Sequence, residues 1–254
     1  MESQTTVRIF ASPEGAIQFA ARTLSEICGS RAEGRISVAL SGGSTPALLY
    51  EHLAKEHRSE IPWGRLELFF GDERTVPLEH PDSNYRLALT TLLSRVAVPA
   101  LQVHRMHAEE EDLEAAALRY EDEIRRFVPP GALQVPSFDL IWLGLGEDGH
   151  TASLFPGTAA VNEESRIVVP NFVPSVEKHR MTFTFSLINS AQRVQFLVFG
   201  GKKAPIVREI LGSQEGERGS APYPAERVSP HHGALEWLLD REAAREIRDP
   251  GLLA

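Results

Sequence analysis

The stretch from Gly144 to Pro156, Gly-Leu-Gly-Glu-Asp-Gly-His-Thr-Ala-Ser-Leu-Phe-Pro, constrains this chain more than any other. It follows an apolar run that predicts a buried strand. Three glycines within its first six residues let the backbone turn sharply and approach a ligand closely. Asp148 and His150 lie at this turn. Because α/β enzymes build their sites at the carboxyl ends of strands, the pattern indicates a titratable pair in such a site.

The same glycines match the dinucleotide-binding pattern Gly-x-Gly-x-x-Gly, so that alternative has to be weighed. A nucleotide site requires a long helix directly after the glycines and an acidic residue about 20 positions further on. Here Pro156 and Gly157 end any helix within about two turns. The pattern also lies past the middle of the chain, so a nicotinamide or flavin site is disfavoured.

Short apolar runs alternate with helical patterns along the chain, which indicates parallel βαβ units with helices on both faces of a sheet. We expect residues 1–254 to form one single-domain, Rossmann-like α/β fold with a mostly parallel sheet, and a mobile loop over 212–224. The expected strands are 36–40, 66–70, 138–145, 167–169, 181–186 and 194–199, and the expected helices are 13–31, 46–56, 84–96, 109–127, 203–211 and 233–245.

Charge and composition restrict the classes of partner. The net charge of −9 and the lack of a Lys/Arg-rich run argue against nucleic acid. No apolar run approaches the ~18 residues of a membrane span, and the start of the chain lacks a secretory pattern. Cys28 is the single cysteine, so no internal disulfide can form, which fits the cytoplasm. The sequence does not determine the oligomeric state, and a monomer is favoured.

The segment Ser41-Gly-Gly-Ser-Thr-Pro46 follows a predicted strand and opens a predicted helix. Free backbone N–H groups and the helix dipole attract anions at such a terminus. Gly42 and Gly43 let an anion come close, and Ser44 and Thr45 supply hydroxyl donors. The segment therefore predicts a phosphate or carboxylate site, and the alternative is a tight turn in which Thr45 caps the helix.

A second strand end carries the charged run Asp72-Glu-Arg74. Arg74 can bind a phosphate or orient a carboxylate, and Asp72 can accept hydrogen bonds from substrate hydroxyls. The alternative is a solvated loop with a local ion pair. Just downstream, Asp82 or Ser83 is expected to cap a helix.

Further cations stand at two other positions. Arg180 opens a predicted strand, with Lys178 nearby, and Lys202 and Lys203 begin a helix. Lysines at a helix start oppose the dipole, so a bound anion would relieve that conflict. The alternative is that these lysines are simply surface residues.

Several other histidines and the cysteine are of types found in active sites, but they are not expected to be functional. His104 and His107 lack a third ligand for zinc, so solvent exposure is the expectation and no metal site is predicted. His231 and His232 are expected to be solvated, and Cys28 is expected to be a packing residue. No serine lies in a Gly-x-Ser-x-Gly nucleophile pattern.

Together these segments resemble the 6-phosphogluconolactonase family, in order and over nearly the whole chain. The related glucosamine-6-phosphate deaminases share the Gly-Ser-Thr-Pro loop, an Asp-Glu pair and Asp-Gly-His. They carry an aromatic residue where this chain has Arg74, and Ile-Ala-Phe-Asn-Glu-Pro where it has 151–156. The motifs that carry the resemblance are 41–46, 71–74, 82–85, 144–156, Arg180 with 182–184, 188–191, 201–204 and 237–240.

The resemblance implies hydrolysis of 6-phospho-D-glucono-1,5-lactone to 6-phosphogluconate in the oxidative pentose phosphate pathway, without metal or organic cofactor. His150 would be the general base that activates water, and Asp148 would orient the site. The family match implies that Arg180 and Lys203 bind the phosphate with Ser44 and Thr45, that Arg74 is a further candidate, that Asp72 holds sugar hydroxyls, and that the amides of Gly42 and Gly43 are candidate oxyanion donors. A deaminase or isomerase of amino-sugar phosphates, and a non-catalytic sugar-phosphate sensor, remain alternatives.

Overall fold

A computed structural model describes residues 4–131, 133–212 and 223–247. Within these residues the strands are β1 (Gln4–Phe10), β2 (Ile36–Leu40), β3 (Leu66–Phe70), β4 (Asp72–Arg74), β5 (Val103–His104), β6 (Leu140–Leu143), β7 (Val168–Val173), β8 (Lys178–Phe183), β9 (Arg193–Val198) and β10 (Ala234–Asp240). The α-helices are α1 (Pro13–Ser30), α2 (Ser44–Glu56), α3 (Asn84–Ala88), α4 (Leu113–Phe127), α5 (Phe185–Ile188), α6 (Ala204–Leu211) and α7 (Arg241–Ala244).

The main sheet of the described residues has seven parallel strands in the order β1-β10-β9-β6-β2-β3-β5. Every residue of β2 and β3 is buried. Because successive side chains point to opposite faces of a strand, continuous burial means that both faces of the sheet are covered. The prediction of an α/β fold with a mostly parallel sheet is confirmed.

A small antiparallel sheet, in the order β4-β8-β7, stands beside the main sheet. It begins where β3 ends, since only Gly71 separates β3 from β4. Gly71 N–H donates to the Leu40 carbonyl, and Phe183 N–H donates to the Gly71 carbonyl, so this residue joins the two sheets. The charged run from Asp72 to Arg74 is therefore a short paired strand rather than a solvated loop.

The predicted helix over 233–245 is wrong. Residues Ala234–Asp240 form β10, which lies between β1 and β9, and only Arg241–Ala244 are helical. The apolar run of β10 is buried on both faces, and such a run has no period that separates strand from helix. The strands β1, β4 and β5 were also not predicted.

Several boundaries differ from the predictions because of local capping. Helix α2 begins at Ser44 with Gly43 as its N-cap, so Thr45 is not the cap. The predicted helix over 84–96 is α3 followed by a π-helical turn over Leu89–Leu93, and the Ser83 side chain caps it as expected. Helix α4 begins four residues late because Asp112 caps it.

His104 corrects another expectation, since it is buried rather than solvated, while His107 is exposed as predicted. Cys28 is buried in the core, as predicted, and His231 and His232 are exposed. Most of the predicted mobile loop over 212–224 lies outside the described residues. No helix in the described part of the chain has both the length and the apolar character needed to cross a bilayer.

Candidate active site

A cavity of about 220 Å³ opens at the carboxyl edge of the main sheet. The strand order reverses between β2 and β6, because β3 and β5 lie on one side and β9 and β10 on the other. Open α/β sheets bind ligands in the crevice at such a switch point. The walls of the cavity come from the ends of β2, β3, β6 and β9.

Most of the predicted site residues meet in this cavity, although they lie far apart in the sequence. Those that line it are Gly42, Gly43, Ser44, Thr45, Asp72, Arg74, His150 and Lys203. Two predicted residues do not line it. Asp148 lies behind His150, and Arg180 lies beside Arg74 on the neighbouring strand.

His150 and Asp148 form a close pair at the turn after β6. The His150 Nδ1 atom is 2.5 Å from Asp148 Oδ1, and the His150 backbone N–H donates to the same oxygen at 3.2 Å. The imidazole also stacks on the Phe155 ring, with 3.9 Å between ring centroids. The imidazole ring is therefore held at its Nδ1 edge by Asp148 and on one face by Phe155. The sequence alone did not determine whether the side chains of Asp148 and His150 touch.

This contact fixes which ring nitrogen can react. Burial alone would raise the pKa of Asp148, but the hydrogen bond and charge of His150 outweigh it and lower that pKa. An ionised carboxylate accepts Nδ1–H, which leaves the lone pair on Nε2. Among the described residues no protein group hydrogen-bonds to Nε2, so that nitrogen is available to a water molecule in the cavity.

The glycines of this turn make room for the pair. A Cβ atom on Gly146 would lie 2.0 Å from His150 Nδ1 and 2.5 Å from Asp148 Oδ1. Gly149 has a φ of +77°, and its Cβ would lie 2.5 Å from the Tyr223 ring. Gly146 thus makes room for the histidine–carboxylate contact and Gly149 for the Tyr223 ring. No long helix follows these glycines, as a dinucleotide site would require.

The glycine loop after β2 presents the start of α2 to the cavity. Gly43 has a φ of +106°, which favours glycine, and no side chain caps the helix. The N–H groups of the first helical turn therefore face the cavity without a capping group. Tyr50 fixes the start of the loop, because its hydroxyl accepts from Ser41 N–H at 2.8 Å and donates to the Ser41 carbonyl at 2.7 Å.

Asp72 is a buried carboxylate, 6% exposed, at the wall of the cavity. Asn84 Nδ2 donates to its Oδ1 at 3.0 Å, and Ser153 Oγ donates to its Oδ2 at 2.7 Å. Sequence reasoning did not assign a role to Asn84 or Ser153. Both lie within motifs named above, but their proximity to Asp72 depends on the packing of three separate segments.

Glu73 next to it has a structural role. Its carboxylate accepts from the backbone N–H groups of Arg74 and Asn84 at 2.8 Å and of Tyr85 at 2.7 Å. Burial raises the pKa of Glu73, and these N–H donors oppose that shift. The side chain thereby ties β4 to the first turn of α3.

The cations of the site are Arg74, Arg180 and Lys203. Arg74 and Arg180 are cross-strand partners of β4 and β8, and Lys203 is the residue before α6. In the described part of the chain none of the three has a carboxylate within ion-pair distance. Burial and the charge of Arg74 both lower the pKa of Arg180. The carboxylates of Asp72, Asp82 and Glu73 oppose that shift without making a direct ion pair, so the two neighbouring guanidinium groups can still bind an anion.

The chemistry available here is that of acid–base groups and cations. Residues 4–131, 133–212 and 223–247 contain no cluster of three or more His, Cys, Asp or Glu side chains suited to a metal ion. The residues present supply an oriented imidazole, free helix N–H groups and cations that make no direct ion pair within the described residues. That set can activate water and bind an anionic small molecule.

Comparison with known proteins gives a consistent result. The family model for "Glucosamine-6-phosphate isomerases/6-phosphogluconolactonase" matches residues 11–237. A 6-phosphogluconolactonase of Synechocystis is 43% identical over 85% of this chain and 86% of its own length. The human 6-phosphogluconolactonase is 38% identical over 88% of this chain and 85% of its own length.

Solved structures agree with the sequence relatives. The 6-phosphogluconolactonase of Trypanosoma cruzi superposes with a TM-score of 0.83 at 30% identity, covering 98% of this chain and 99% of its own. Together with the motifs gathered at the cavity, these matches show that the chain belongs to the glucosamine-6-phosphate isomerase/6-phosphogluconolactonase family.

Proposed function

We propose that this protein hydrolyses 6-phospho-D-glucono-1,5-lactone to 6-phosphogluconate, a step of the oxidative pentose phosphate pathway. The main support is that His150, Lys203 and the glycine loop line the same cavity. The named relatives support the choice of substrate. The reaction needs neither a metal nor an organic cofactor, because a lactone is an activated ester that water and a general base can open.

The Nε2 atom of His150 is the base. It accepts a proton from water as the water oxygen bonds to C1 of the lactone, which gives a tetrahedral oxyanion. When that intermediate collapses, the bond between C1 and the ring oxygen breaks, and the imidazolium returns its proton to the leaving oxygen. Asp148 holds the tautomer in which Nε2 carries the lone pair and stabilises the imidazolium that forms between the two steps.

The oxyanion is stabilised by the backbone N–H groups of Gly42 and Gly43, in the loop that leads into α2. These groups lie at a helix N-terminus and line the same cavity as His150. They are fixed before the substrate arrives, since Tyr50 holds Ser41 from both sides. One such donor typically contributes about 2.7–4 kcal/mol to the transition state.

The phosphate is bound by Lys203 and Arg74, with Ser44 and Thr45 and their N–H groups. Arg180 stands beside Arg74 and adds positive charge to that end of the cavity. Anchoring the phosphate away from the reacting carbon orients C1 toward His150, which is the advantage of a fixed near-attack geometry. Asp72 accepts hydrogen bonds from the sugar hydroxyls between the two ends.

The test is a lactonase assay with the purified protein at mildly acidic pH, where spontaneous hydrolysis is slow. We expect rapid opening of the phosphorylated lactone and weak activity on glucono-1,5-lactone without phosphate. Release of ammonia from glucosamine 6-phosphate would instead identify a deaminase. Binding of 6-phosphogluconate without any turnover of the lactone would identify a sensor.

We further propose a cytoplasmic monomer. Within one copy of the chain the cavity already brings together the proposed base, the glycine loop and two cations. The buried Cys28 takes part in no disulfide of its own chain. Light scattering on the active protein tests the monomer, and a dimer that loses activity on dilution would overturn it.

A further inference from the structure

Asn84 lies between two parts of the active site that the chain supplies from different strands. Asn84 is 2% exposed, and its side chain contacts Asp72, the first residue of β4, on one side. On the other side it faces Gly42, in the loop after β2. It does not itself line the cavity. Its effect on the reaction must therefore pass through the two residues that it touches.

Both donors of the Asn84 amide are directed at Asp72. Nδ2 donates to the backbone carbonyl of Asp72 at 2.9 Å and to its Oδ1 at 3.0 Å. A carboxamide NH₂ has two hydrogens, so its donor capacity is fully used on one residue. Two bonds to the backbone and the side chain of the same aspartate fix the side-chain torsion of that aspartate.

Asn84 is itself held by the residue next to Asp72. Its backbone N–H donates to Glu73 Oε1 at 2.8 Å, and the following N–H, of Tyr85, donates to Glu73 Oε2 at 2.7 Å. The start of α3 is thus bonded to two consecutive residues of β4. The amide has little freedom to move away from Asp72.

The other end of the amide carries an unusual feature. Asn84 Oδ1 is buried and has no hydrogen-bond partner among the residues that the structure describes. A buried oxygen without a partner is unfavourable. Leucine has the same branched shape and would fill this space without that oxygen, so what asparagine adds is its pair of donors to Asp72.

The same oxygen defines the distance to the glycine loop. A Cβ atom on Gly42 would lie 1.7 Å from Asn84 Oδ1, so residue 42 must be glycine while residue 84 has this side chain. Asn84 therefore acts as a spacer between the oxyanion loop and Asp72. Its position sets how far apart the two groups stand.

We infer that Asn84 is the positioning residue that fixes Asp72 against the glycine loop for lactone hydrolysis, an inference that rests on the proposed function. The substrate hydroxyls held by Asp72 and the oxyanion held near Gly42 belong to one molecule. An error in their separation moves C1 relative to His150, and small misplacements are costly in rate.

The first test compares Asn84→Leu, which keeps the shape, with Asn84→Asp, which replaces the donors by a second carboxyl oxygen. For Asn84→Leu we expect kcat to fall about 10- to 100-fold, with the affinity for inorganic phosphate changed less than about threefold. For Asn84→Asp we also expect kcat to fall about 10-fold or more, because the donors to Asp72 are replaced by an oxygen of a second carboxyl group that repels it.

Asn189→Leu is the matched control. Asn189 is also a buried asparagine, and it bonds to Arg227 and Ser229 away from the cavity. The Asn189→Leu variant should have a lower melting temperature and the same kcat, per folded molecule, as the wild type. A kcat equal to that of the wild type in Asn84→Leu or in Asn84→Asp would overturn the inference.

A second test does not depend on turnover. Gly42→Ala should lower the melting temperature, and Asn84→Ala in the same chain should restore most of that loss, because it removes the atom that clashes. If the protein has no lactonase activity but this rescue occurs, the proposed function fails while the contact stands. If Gly42→Ala is tolerated without Asn84→Ala, the spacer role is wrong.

Discussion

His150 and His104 both contact carboxylates, and their surroundings differ in the way that separates a catalytic from a structural histidine. His150 is 29% exposed and uses one ring nitrogen, Nδ1, to contact Asp148. His104 is 2% exposed and uses both, with Nε2 2.8 Å from Glu67 and Nδ1 2.6 Å from Glu123. His150 keeps a free lone pair on Nε2 beside the cavity, whereas both ring nitrogens of His104 are occupied by carboxylates.

A histidine–carboxylate contact therefore does not by itself identify an active site. A ring with carboxylates on both nitrogens has no basic atom left to accept a proton from water. Its role is to join elements, and here His104 connects β5 to β3 and α4. Only the ring with one open nitrogen can act as a base.

The largest effect expected within this comparison is that of Asp148→Asn. The amide can donate to Nδ1, which favours the tautomer with hydrogen on Nε2 and removes the basic lone pair. We expect kcat to fall by about 10²- to 10⁴-fold. Steady-state kinetics checks this, with Glu147→Gln, the exposed neighbouring residue, as a charge-matched control. Equal losses in both variants would mean that the charge, and not the tautomer, matters.

His104→Ala should have a large effect on stability and none on the chemistry. Removing the imidazole leaves the buried Glu67 with only the longer contact to Arg35, and breaking a buried ion pair typically costs about 3–5 kcal/mol. Urea unfolding measures that loss, and kcat per folded molecule should stay at the wild-type value. The exposed His107, near Glu109 and Glu110, is the control, and His107→Ala should cost less than about 1 kcal/mol. A loss of kcat in folded His104→Ala would show that His104 also takes part in the reaction.

A smaller effect is expected at the phosphate end of the cavity. Lys203 lines the cavity, whereas Lys202 is exposed and does not. We expect Lys203→Ala to raise KM about tenfold or more, as for loss of one charged hydrogen bond, with a lesser effect on kcat. Lys202→Ala should leave KM unchanged. The same KM for both variants would place the phosphate elsewhere, and Arg180→Ala, expected to weaken affinity, would then be the informative variant.

The smallest expected effect is a pH dependence of stability. Burial disfavours the charged form of His104, but the hydrogen bonds and charges of Glu123 and Glu67 outweigh it and raise its pKa above the ordinary 6.5. Arg35 also faces Glu67, with Nε 3.5 Å from Oε1. A group whose pKa is raised by folding stabilises the fold below its unfolded pKa and loses that contribution as the pH rises through the folded pKa.

The free energy of unfolding, measured from pH 6 upward, should therefore fall more in the wild type than in His104→Gln. The difference between the two proteins should be largest near pH 6 and should shrink above it. A constant difference over that range would show that His104 does not change its charge on folding.

How much the sequence could predict depends on whether the signal was local. The strand ends with their glycines were predictable, because a buried apolar run followed by glycine and polar residues is a short-range pattern. It was also predictable that Gly42, Asp72 and His150 lie close together, because the carboxyl ends of parallel strands meet at one edge of the sheet.

What failed depended on contacts distant in sequence. Strand β10 was predicted as a helix because its pairing with β1 and β9 cannot be read from its own residues. His104 was predicted to be solvated because its partners, Glu67 and Glu123, are 37 and 19 positions away. The roles of Asn84 and Ser153 were missed for the same reason.

In the proposed reaction the Nε2 atom of His150, to which no described residue hydrogen-bonds, is the base. The most direct test is kcat of His150→Ala on the phosphorylated lactone, after subtraction of spontaneous hydrolysis, beside His104→Gln under the same conditions. We expect His150→Ala to lose at least about 100-fold in kcat while it still binds 6-phosphogluconate, and His104→Gln to retain its kcat. Turnover in His150→Ala at the wild-type rate would contradict the account.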